Sequence, residues 1–439
     1  MPAPLLHIAT EGPLPARSDV VVIGAGIVGA CTAYYLARQG VDVALLEKGR
    51  VGAEQSSRNW GWCRQQNRDA RELPMATRSL DLWEALAAEI GEDVGFRRSG
   101  LLYLSNDEAE IASWERWRDF ARTQGVVTHM LSAAEASERA RATGKPWKGG
   151  VFSPTDGIAG PERAAPVIAR AVTKCGGSVH QSCAARGIEL EGGRVSGVVT
   201  EHGTIQTRTV VLAGGAWSSS FVRQLGLRFP QSSVRSTILA VGPGVEGPDA
   251  LHTGRVSVTR RGDGGYTLAI SGNARVDPTP QMLRFSRSFL PMFLRRRQAL
   301  ALGSLEGWRS GHETWRRWAL NRPTPMERMR ILDPTPDPGT VRETLARARD
   351  LLPGVRQVEV AAQWAGYIDS TPDGVPAIGE TVIPGLILAA GFSGHGFGIG
   401  PGAGEMIADL CLGKPPRLEA SSYHPSRLNQ QAWGKVADF

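Results

Sequence analysis

The apolar positions of this chain form short unbroken runs as well as helical stripes. Val20 to Ile23 is a continuous apolar run, which is typical of a parallel strand buried on both faces. A glycine turn, helix-forming residues up to Arg38, Gly40 and a second strand-like segment, VDVALLE, follow it. From Leu73 to Glu92 the apolar residues recur along one helical face. The start of the chain therefore predicts a β–α–β unit followed by a long amphipathic helix.

The middle of the chain predicts strands joined by tight turns. The segment RGIELEGGRVSGVVTEHGTIQTRTVVLAGG alternates apolar and polar residues around Gly-Gly and His-Gly pairs, which are hairpin signals. RSTILAVGP, RVSVTRR and GGYTLAIS give further strands, and Val210 to Leu212 is another buried run. We therefore predict an α/β fold in which a Rossmann-like dinucleotide-binding sheet is interrupted by an antiparallel-sheet α+β domain.

The two predicted domains are both discontinuous along the chain, because the buried runs occur at its start, middle and end. The predicted dinucleotide-binding domain comprises residues 18–75, 148–230 and 355–415, the substrate-binding domain comprises 76–147 and 231–354, and 416–439 form a C-terminal tail.

Composition and charge narrow the class of protein. The five cysteines have no paired spacing, so neither a disulfide framework nor a zinc site is expected, and no metal is predicted. No apolar run is long enough for a transmembrane helix, and the first residues lack a signal-peptide pattern, so we expect a cytoplasmic protein. The net charge of +7 comes from dispersed arginines without a recognition motif, which favours a basic surface or anionic substrates over nucleic acid.

The strongest local motif is GAGIVG at the end of the first strand. Gly24, Gly26 and Gly29 have the spacing that allows a tight turn, a close approach to a pyrophosphate and close helix packing. The helix that follows offers free N–H groups to phosphates. Glu47 ends the second strand, where an acidic residue binds ribose hydroxyls. The motif predicts binding of an unphosphorylated adenine dinucleotide such as FAD or NAD.

Five further segments carry a family resemblance. SSRNWG, DGIAGP, VVLAGGAWS, TPDGVPAIG and GFSGHGFGIGPGAGEMIADL, together with the opening motif, run from about residue 19 to 412. In this order they resemble the D-amino-acid oxidase or glycine oxidase-like family of FAD-dependent oxidoreductases, which includes sarcosine oxidases and D-amino-acid dehydrogenases. The resemblance implies a GR2-type FAD-binding domain and FAD as the cofactor.

The resemblance also implies which residues meet the FAD. The loop after the second strand would pass the pyrophosphate and ribityl chain, and the last glycine-rich loop would cross the pyrimidine side of the ring. Trp60 lies near the position where covalently flavinylated relatives carry histidine, and Cys63 matches no attachment position, so we expect non-covalent FAD. The expected cofactor residues are Gly24, Gly26, Ile27, Val28, Gly29, Glu47, Lys48, Gln55, Ser56, Ser57, Arg58, Asn59, Trp60, Gly61, Ala185, Ala213, Gly214, Trp217, Gly366, Gly391, Gly394, His395, Gly396, Phe397 and Gly398.

By the same resemblance the chain oxidises a C–N bond by hydride transfer to flavin N5, and the imine then hydrolyses. Arg64 and Arg68 would bind a substrate carboxylate, or would instead be surface arginines. His395 would donate near the flavin, or would instead pack under its loop. Tyr266 and Tyr367, together with Trp364, would line the cavity, or would instead belong to the core.

Two departures from the sarcosine oxidase pattern affect the expected chemistry. Gly398 stands where those enzymes have a carboxylate-binding lysine, and Thr267 stands near the position of the lysine that promotes reaction with oxygen. Sarcosine is therefore in doubt, and D-amino acids, cyclic imino acids and opine-like secondary amines stay open as substrates. The missing cation favours a dehydrogenase that passes electrons to a quinone or another carrier over an oxidase that uses O2 as the electron acceptor.

Two alternatives concern partners. The chain could be the flavoprotein subunit of a multi-subunit amine dehydrogenase, while a flavin-containing RNA-modifying module is a third possibility, suggested by the charge. Residues 286–322 are basic and amphipathic. They either dock on the inner face of a membrane or on a partner subunit. Alternatively, they form helices that cover the substrate domain.

Overall fold

The computed structural model describes residues 3–430 except 11, 306, 307, 309–312 and 314–316. One sheet has six strands, and all neighbouring pairs are parallel except the antiparallel edge pair β20–β21. From edge to edge the strands are β20 (Ala377–Glu380), β21 (Leu386–Ala390), β12 (Thr209–Leu212), β1 (Val20–Ile23), β2 (Val43–Leu46) and β8 (Ser178–His180). The predicted Rossmann-like sheet is confirmed.

Four helices form a layer on one face of this sheet. Some of them contact the sheet and the others pack against these helices, and all four share a buried core. All eleven residues of the first helix are buried, because it lies between its neighbours and the sheet. The four helices are α1 (Ile27–Ala37), α2 (Leu73–Ile90), α5 (Ala164–Lys174) and α10 (Gly400–Cys411).

Glycines allow α1 and α10 to pack closely. A Cβ on Gly400 would lie 2.8 Å from the Ile27 side chain, and one on Gly404 would lie 2.5 Å from the Cys31 Cβ. The last glycine-rich segment therefore serves helix packing at its C-terminal half. The two helices that follow the first and last glycine turns are neighbours in space.

A second sheet has ten strands and is antiparallel except for the β4–β14 and β17–β18 pairs. β19 lies beside β13, and the other strands follow one another across the sheet. They are β18 (Leu300–Leu302), β17 (Ala274–Val276), β13 (Ser232–Val241), β16 (Tyr266–Ala269), β15 (Ser257–Arg260), β14 (Ala250–Thr253), β4 (Leu101–Ser105), β6 (Gly149–Ser153), β5 (His129–Leu131) and β19 (Val360–Ser370). β6 and β19 belong to this sheet, although both lie inside ranges predicted for the dinucleotide-binding domain.

The two faces of the ten-stranded sheet differ in chemistry. One face carries Leu239, Val258 and Leu268 and packs into an apolar core with helix α9 (Pro338–Leu351). The opposite face carries alternate residues, including Thr259 and Thr267 at paired positions. Side chains alternate along a strand, so this second face is directed towards the loop that follows the second strand of the Rossmann-like sheet.

Smaller elements complete the described fold. The predicted hairpins at the Gly-Gly and His-Gly pairs are present as a three-stranded sheet. Its strands are β9 (Ala185–Glu191), β10 (Arg194–Thr200) and β11 (Gly203–Gln206), and β3 (Trp62–Cys63) pairs with β7 (Gly157–Ile158). The remaining helices are α3 (Glu108–Thr123), α4 (Ala133–Arg139), α6 (Ser218–Val222), α7 (Pro280–Arg296), α8 (Pro325–Arg328) and α11 (Arg427–Gln430).

Parts of two predicted segments lie outside the described residues: residues 306, 307, 309–312 and 314–316 of the 286–322 segment, and residues 431–439 of the tail. Among the described residues, no helix has the length and apolar character needed to cross a membrane. The same part of the chain contains no group of His, Cys, Asp and Glu side chains that could hold a metal ion.

Candidate active site

A cleft opens at the carboxyl ends of β1, β2 and β12. The chain connections reverse direction at β1, and this switch point is where doubly wound sheets bind nucleotides. Ten of the residues predicted for the cofactor line this cleft. They are Gly24, Gly26, Glu47, Lys48, Gln55, Ser56, Ala185, Ala213, Gly214 and Trp217.

The glycine turn has the shape that the cofactor requires. Gly24 has φ +100°, and a Cβ there would overlap the Ala213 carbonyl oxygen. Ser56 Oγ accepts a hydrogen bond from the Ile27 N–H at 2.8 Å, at the start of α1. Glu47 accepts from Ala25 N–H at 3.0 Å, and burial raises the pKa of its carboxyl group. A bare glycine backbone, a helix N-terminus and a partly buried acid directly after β2 fit the ADP half of FAD.

Several cleft residues were missed by the sequence motifs. One of them is Glu54, which pairs with the predicted Lys48 at 2.5 Å. The Nζ atom of Lys48 also lies 4.7 Å from the centroid of the Trp217 ring. Met326 comes from far along the chain, and no local pattern links it to the glycine turn. The missed lining residues are Ile23, Leu46, Arg50, Gly52, Ala53, Glu54, Cys183, Leu212, Gly215, Phe221 and Met326.

The loop after β2 is held by its own side chains. The Arg58 guanidinium is buried and donates to the carbonyl oxygens of Ala53 and Ala365, at 3.1 and 2.8 Å. Asn59 donates to Ser56 O at 2.8 Å and accepts from Gly61 N at 2.7 Å. The structure therefore places Arg58 and Asn59 as supports of the loop. Further predicted residues, Ile27, Val28, Gly29 and Ser57, are also buried beside the cleft and do not line it.

The last glycine-rich loop lies against this first loop. A Cβ on Gly398 would lie 2.7 Å from Trp62 O, and Trp83 donates its Nε1–H to Gly398 O at 2.9 Å. Gly391, with φ +75°, donates its N–H to the buried Asp369 carboxylate at 2.8 Å. The last glycine-rich loop and the loop after β2 are therefore neighbours in space. Of the other predicted residues, Gly394 and Gly396 lie in the same loop, Phe397 packs on Trp83, and Gly366 packs on Arg58.

His395 points away from the loop backbone and pairs with a buried acid. Its Nδ1 lies 3.0 Å from both carboxylate oxygens of Glu72, a residue with no exposed side-chain surface. Burial and then the Arg68 cation lower the pKa of His395 to about 4. The ring is therefore neutral near pH 7, with the Nδ1 proton on the side of Glu72.

Arg64 and Arg68 lie next to this pair. Arg68 is only 2% exposed, and its Nη1 has no hydrogen-bond partner among the described residues. Burial, followed by the charge of Arg64, lowers the pKa of Arg68 to about 10. The turn between them is held by Asp156, which accepts from the backbone N–H groups of Gln65 and Gln66 at 2.7 and 3.2 Å. A buried cation with an unsatisfied donor calls for an anionic ligand.

The ten-stranded sheet supplies a wall that sequence reasoning missed. The rings of His252 and Tyr103 lie 4.9 Å apart, and Trp62 donates to Thr259 Oγ1 at 2.7 Å. Burial and then Arg64 lower the pKa of His252 to about 4, and its Nδ1 lies 2.9 Å from Ser257 Oγ. The Tyr103 hydroxyl is buried and lies within the influence of the Arg64 guanidinium.

Tyr266 does not join this cluster. It lies in the apolar core on the opposite face of the sheet and donates to Pro248 O at 3.0 Å, because side chains alternate and its neighbour Thr267 takes the loop-facing position. Tyr367 lines a small separate cavity with Gln55 and Arg58, and donates to Asp277 at 3.0 Å. Trp364 is buried, with its Nε1–H 3.4 Å from Arg58 O.

Known proteins resemble this chain over most of its length. The structure of an L-amino acid deaminase from Proteus myxofaciens in complex with anthranilate superposes with a TM-score of 0.92 at 29% identity and covers 97% of each chain. The sarcosine oxidase subunit beta of Rhizobium meliloti is 26% identical over 94% of this chain and 88% of the relative. The glycine oxidase of Geobacillus kaustophilus is 27% identical over 94% of this chain and 97% of the relative.

The family described as DAO, FAD dependent oxidoreductase, matches residues 19–410. This range includes both glycine loops, Arg64 and Arg68 as well as the strands of both large sheets. The chain therefore belongs to the DAO family of FAD-dependent oxidoreductases, its cofactor is FAD, and it is an enzyme of amino-acid or amine oxidation.

Proposed function

We propose that this chain oxidises the C–N bond of an α-amino acid whose carboxylate binds to Arg64 and Arg68. The observation that supports the proposal is the buried Arg68 guanidinium, whose Nη1 lacks a partner among the described residues. An ionised substrate carboxylate would satisfy this donor, whereas an uncharged amine would leave it unsatisfied. The partly buried Arg64 and the Tyr103 hydroxyl would complete the carboxylate site.

The reaction needs placement more than acid–base chemistry. FAD, when bound, accepts a hydride from the carbon that carries the nitrogen, and the imine product hydrolyses in water. The arginines would fix the carboxylate end, while the loop-facing side of the ten-stranded sheet would bound the side chain. Small residues, Ala240, Thr259 and Thr267, occupy paired positions on that face. Holding the substrate in one orientation supplies much of the rate.

The substrate series is part of the proposal. L-amino acids are the first candidates, because the structure of the L-amino acid deaminase from Proteus myxofaciens matches nearly the whole chain. D-amino acids, cyclic imino acids and opine-like amines are the competing substrates.

We also propose a dehydrogenase rather than an oxidase, with electrons passing to a quinone or carrier, since Thr267 stands where a cation would promote reaction with oxygen.

The attachment of FAD and the domain boundaries also remain proposals. Cys63 is buried, with its Sγ 3.8 Å from Gly61 O, in a pair of short strands beneath the loop. We therefore propose non-covalent FAD. Acid precipitation should release the yellow colour into solution, and colour kept in the pellet would show a covalent bond. The boundaries 76–147 and 231–354 for the substrate domain can be tested by limited proteolysis.

The experiment that tests the function is anaerobic bleaching of the bound flavin. L-amino acids, their D-enantiomers, their amides and secondary amines are mixed with the pure protein, and the loss of absorbance in the flavin bands is followed. We expect at least one free amino acid to reduce the flavin at least tenfold faster than its amide. Equal rates for acid and amide would contradict a carboxylate site at the arginines.

A second function is favoured by the similarity to the sarcosine oxidase subunit beta of Rhizobium meliloti, whose name indicates an assembly of several subunits. The chain would then be the flavoprotein subunit of a multi-subunit amine dehydrogenase. Flavin reduction by substrate in the isolated chain supports the first function, whereas reduction seen only after co-expression with partner subunits supports the second.

A further inference from the structure

Helix α7 (Pro280–Arg296) has apolar side chains on two faces. Gln281 and Phe285 are buried against the protein. Leu283, Leu290 and Leu294 are 51%, 45% and 53% exposed. Residues spaced seven and four apart lie on one side of a helix, so these leucines form a stripe opposite the buried residues.

The exposed apolar surface of the described chain is concentrated here. Eleven large apolar side chains are exposed among the described residues, and seven of them lie between positions 283 and 308. Besides the three leucines they include Phe293, Leu302 and Leu305, at 50%, 79% and 69% exposure. Scattered single exposed side chains need no explanation, but a cluster marks a binding surface.

The charge around the stripe has one sign. Between residues 278 and 305 the sequence contains five arginines and neither aspartate nor glutamate. Three of the five, Arg295, Arg296 and Arg297, follow directly after Leu294 at the end of the helix. Apolar side chains flanked by arginines suit the headgroup region of an anionic membrane, where the leucines enter the acyl boundary and the arginines meet the phosphates.

We propose that the exposed face of α7 docks this protein on an anionic lipid surface. No helix among the described residues is able to cross a membrane, so the proposed contact is peripheral. The inference does not depend on the proposed substrate, because the docking face contains none of the residues of the active site.

The docking face is connected to the flavin end of the molecule. Gln281 donates to Gln231 O at 2.9 Å, and Gln231 donates to the Asp369 carboxylate at 2.6 Å. The same carboxylate accepts from Gly391 N–H, which begins the last glycine loop. The side chains of Gln281, Gln231 and Asp369 thus link the start of α7 to the loop that would meet the flavin, so a docked molecule would hold its redox end in a fixed position relative to the lipid surface.

Vesicle co-sedimentation of the FAD-loaded full chain tests the proposal. Vesicles of phosphatidylglycerol and phosphatidylcholine in equal parts are compared with vesicles of phosphatidylcholine alone. The apolar variant is Leu290→Ser with Leu294→Ser, and the charge variant is Arg296→Ser with Arg297→Ser. The control is Val382→Ser, since Val382 is 86% exposed and lies far along the chain in the turn between β20 and β21. Flavin content and anaerobic bleaching by substrate report that each variant is folded.

We expect the wild type and Val382→Ser to bind the anionic vesicles. Both double variants should have an affinity for these vesicles that is lower by about tenfold or more. Binding should also weaken as salt rises from about 0.1 M to about 1 M, because the arginine contribution is screened. Wild type that stays in the supernatant, or double variants that bind as well as wild type, would overturn the proposal. The proposal would also be overturned if the wild type were an oligomer that does not bind vesicles and that the leucine variant dissociates. The exposed face of α7 would then be assigned to a second copy of the chain.

Discussion

The Nδ1 atom of His395 lies 3.0 Å from each carboxylate oxygen of Glu72, which is completely buried. The two residues are 323 positions apart in the sequence and join the N-cap of α2 to the last glycine loop. Because the ring is neutral, it donates its Nδ1–H to the carboxylate and keeps Nε2 as the acceptor nitrogen. Glu72 therefore fixes both the orientation and the tautomer of His395.

Replacing Glu72 by glutamine should slow flavin reduction without weakening substrate binding. The amide keeps the shape but can donate as well as accept, so the tautomer of His395 is no longer fixed. We expect the anaerobic reduction rate at saturating substrate to fall about tenfold or more. Glu405→Gln is the matched control, because Glu405 also bridges α10 and α2 through Arg78 but near the surface. A raised KM with an unchanged limiting rate would contradict the positioning role.

The pH dependence of stability should report the buried histidines. The pKa of His252 is lowered by burial and Arg64 to about 4, whereas an unfolded histidine titrates near about 6.5. Between these values the unfolded chain binds more protons, so stability is complete above about pH 6.5 and is lost as the pH falls towards 4. His252→Gln should remove up to about 3 kcal/mol of this decline.

The measurement is the melting temperature of the FAD-loaded protein at several pH values. His129→Gln is the control, since His129 is exposed. A decline that is equally steep in His252→Gln and in the wild type would contradict a neutral buried His252.

What the sequence could predict depended on how local the signal was. The Gly24 turn, the strand before it and the hairpins at Gly192 and Gly203 follow from neighbouring residues alone, and the structure has them in place. Tyr266 and Thr267 show the limit. Both belong to one predicted strand, but the choice of which of them faces the active site depends on the pairing of that strand with β13 and β15.

Distant partners could not be predicted for the same reason. Glu72 appears in the sequence as an ordinary residue before a helix, and nothing near it indicates His395. His252 and Tyr103 come together only because β14 pairs with β4, with these two residues in register. Gly404 likewise follows the glycines predicted to serve the cofactor, and nothing in its neighbourhood indicates that helix packing on Cys31 requires it.

Replacement of Arg68 tests the carboxylate site directly. Arg68→Ala should lower the specificity for a free amino acid by about tenfold to a hundredfold, while the amide of the same amino acid changes much less. Arg68→Lys keeps the charge but loses the planar fork, so it should restore only part of the loss. Arg122→Ala, on a side chain that is 71% exposed, is the control. Equal losses for acid and amide would remove the proposed role.

Gly404→Ala should destabilise the protein although alanine favours a helix. A methyl group there would lie 2.5 Å from the Cys31 Cβ and would push α10 away from α1. Overpacking of this kind costs about 1–3 kcal/mol, which outweighs the gain of up to about 1 kcal/mol from helix propensity. The free energy of unfolding is measured by urea titration, with Gly262→Ala as the control because nothing lies within 4 Å of its added methyl group. Unchanged stability in Gly404→Ala would show that the helices are able to separate at no cost.

The dehydrogenase proposal can be tested by adding the missing cation. Thr267 is 8% exposed on the loop-facing side of the sheet, directly across from Thr259, which accepts the Trp62 hydrogen bond. A lysine there would place a positive charge near the loop after β2, which we propose to hold the flavin, and a cation beside the flavin would favour formation of superoxide. We expect the reduced wild type to react slowly with air and Thr267→Lys to react about tenfold faster or more.

Thr267→Met is the size control, because methionine fills similar space without charge. Reoxidation is followed by recovery of flavin absorbance after mixing the reduced protein with oxygenated buffer. Rapid reoxidation of the wild type would contradict the dehydrogenase proposal outright. Equal acceleration by lysine and methionine would show that the access of oxygen to the flavin, and not charge, limits the reaction. The lack of a cation at position 267 would then no longer argue for another electron acceptor.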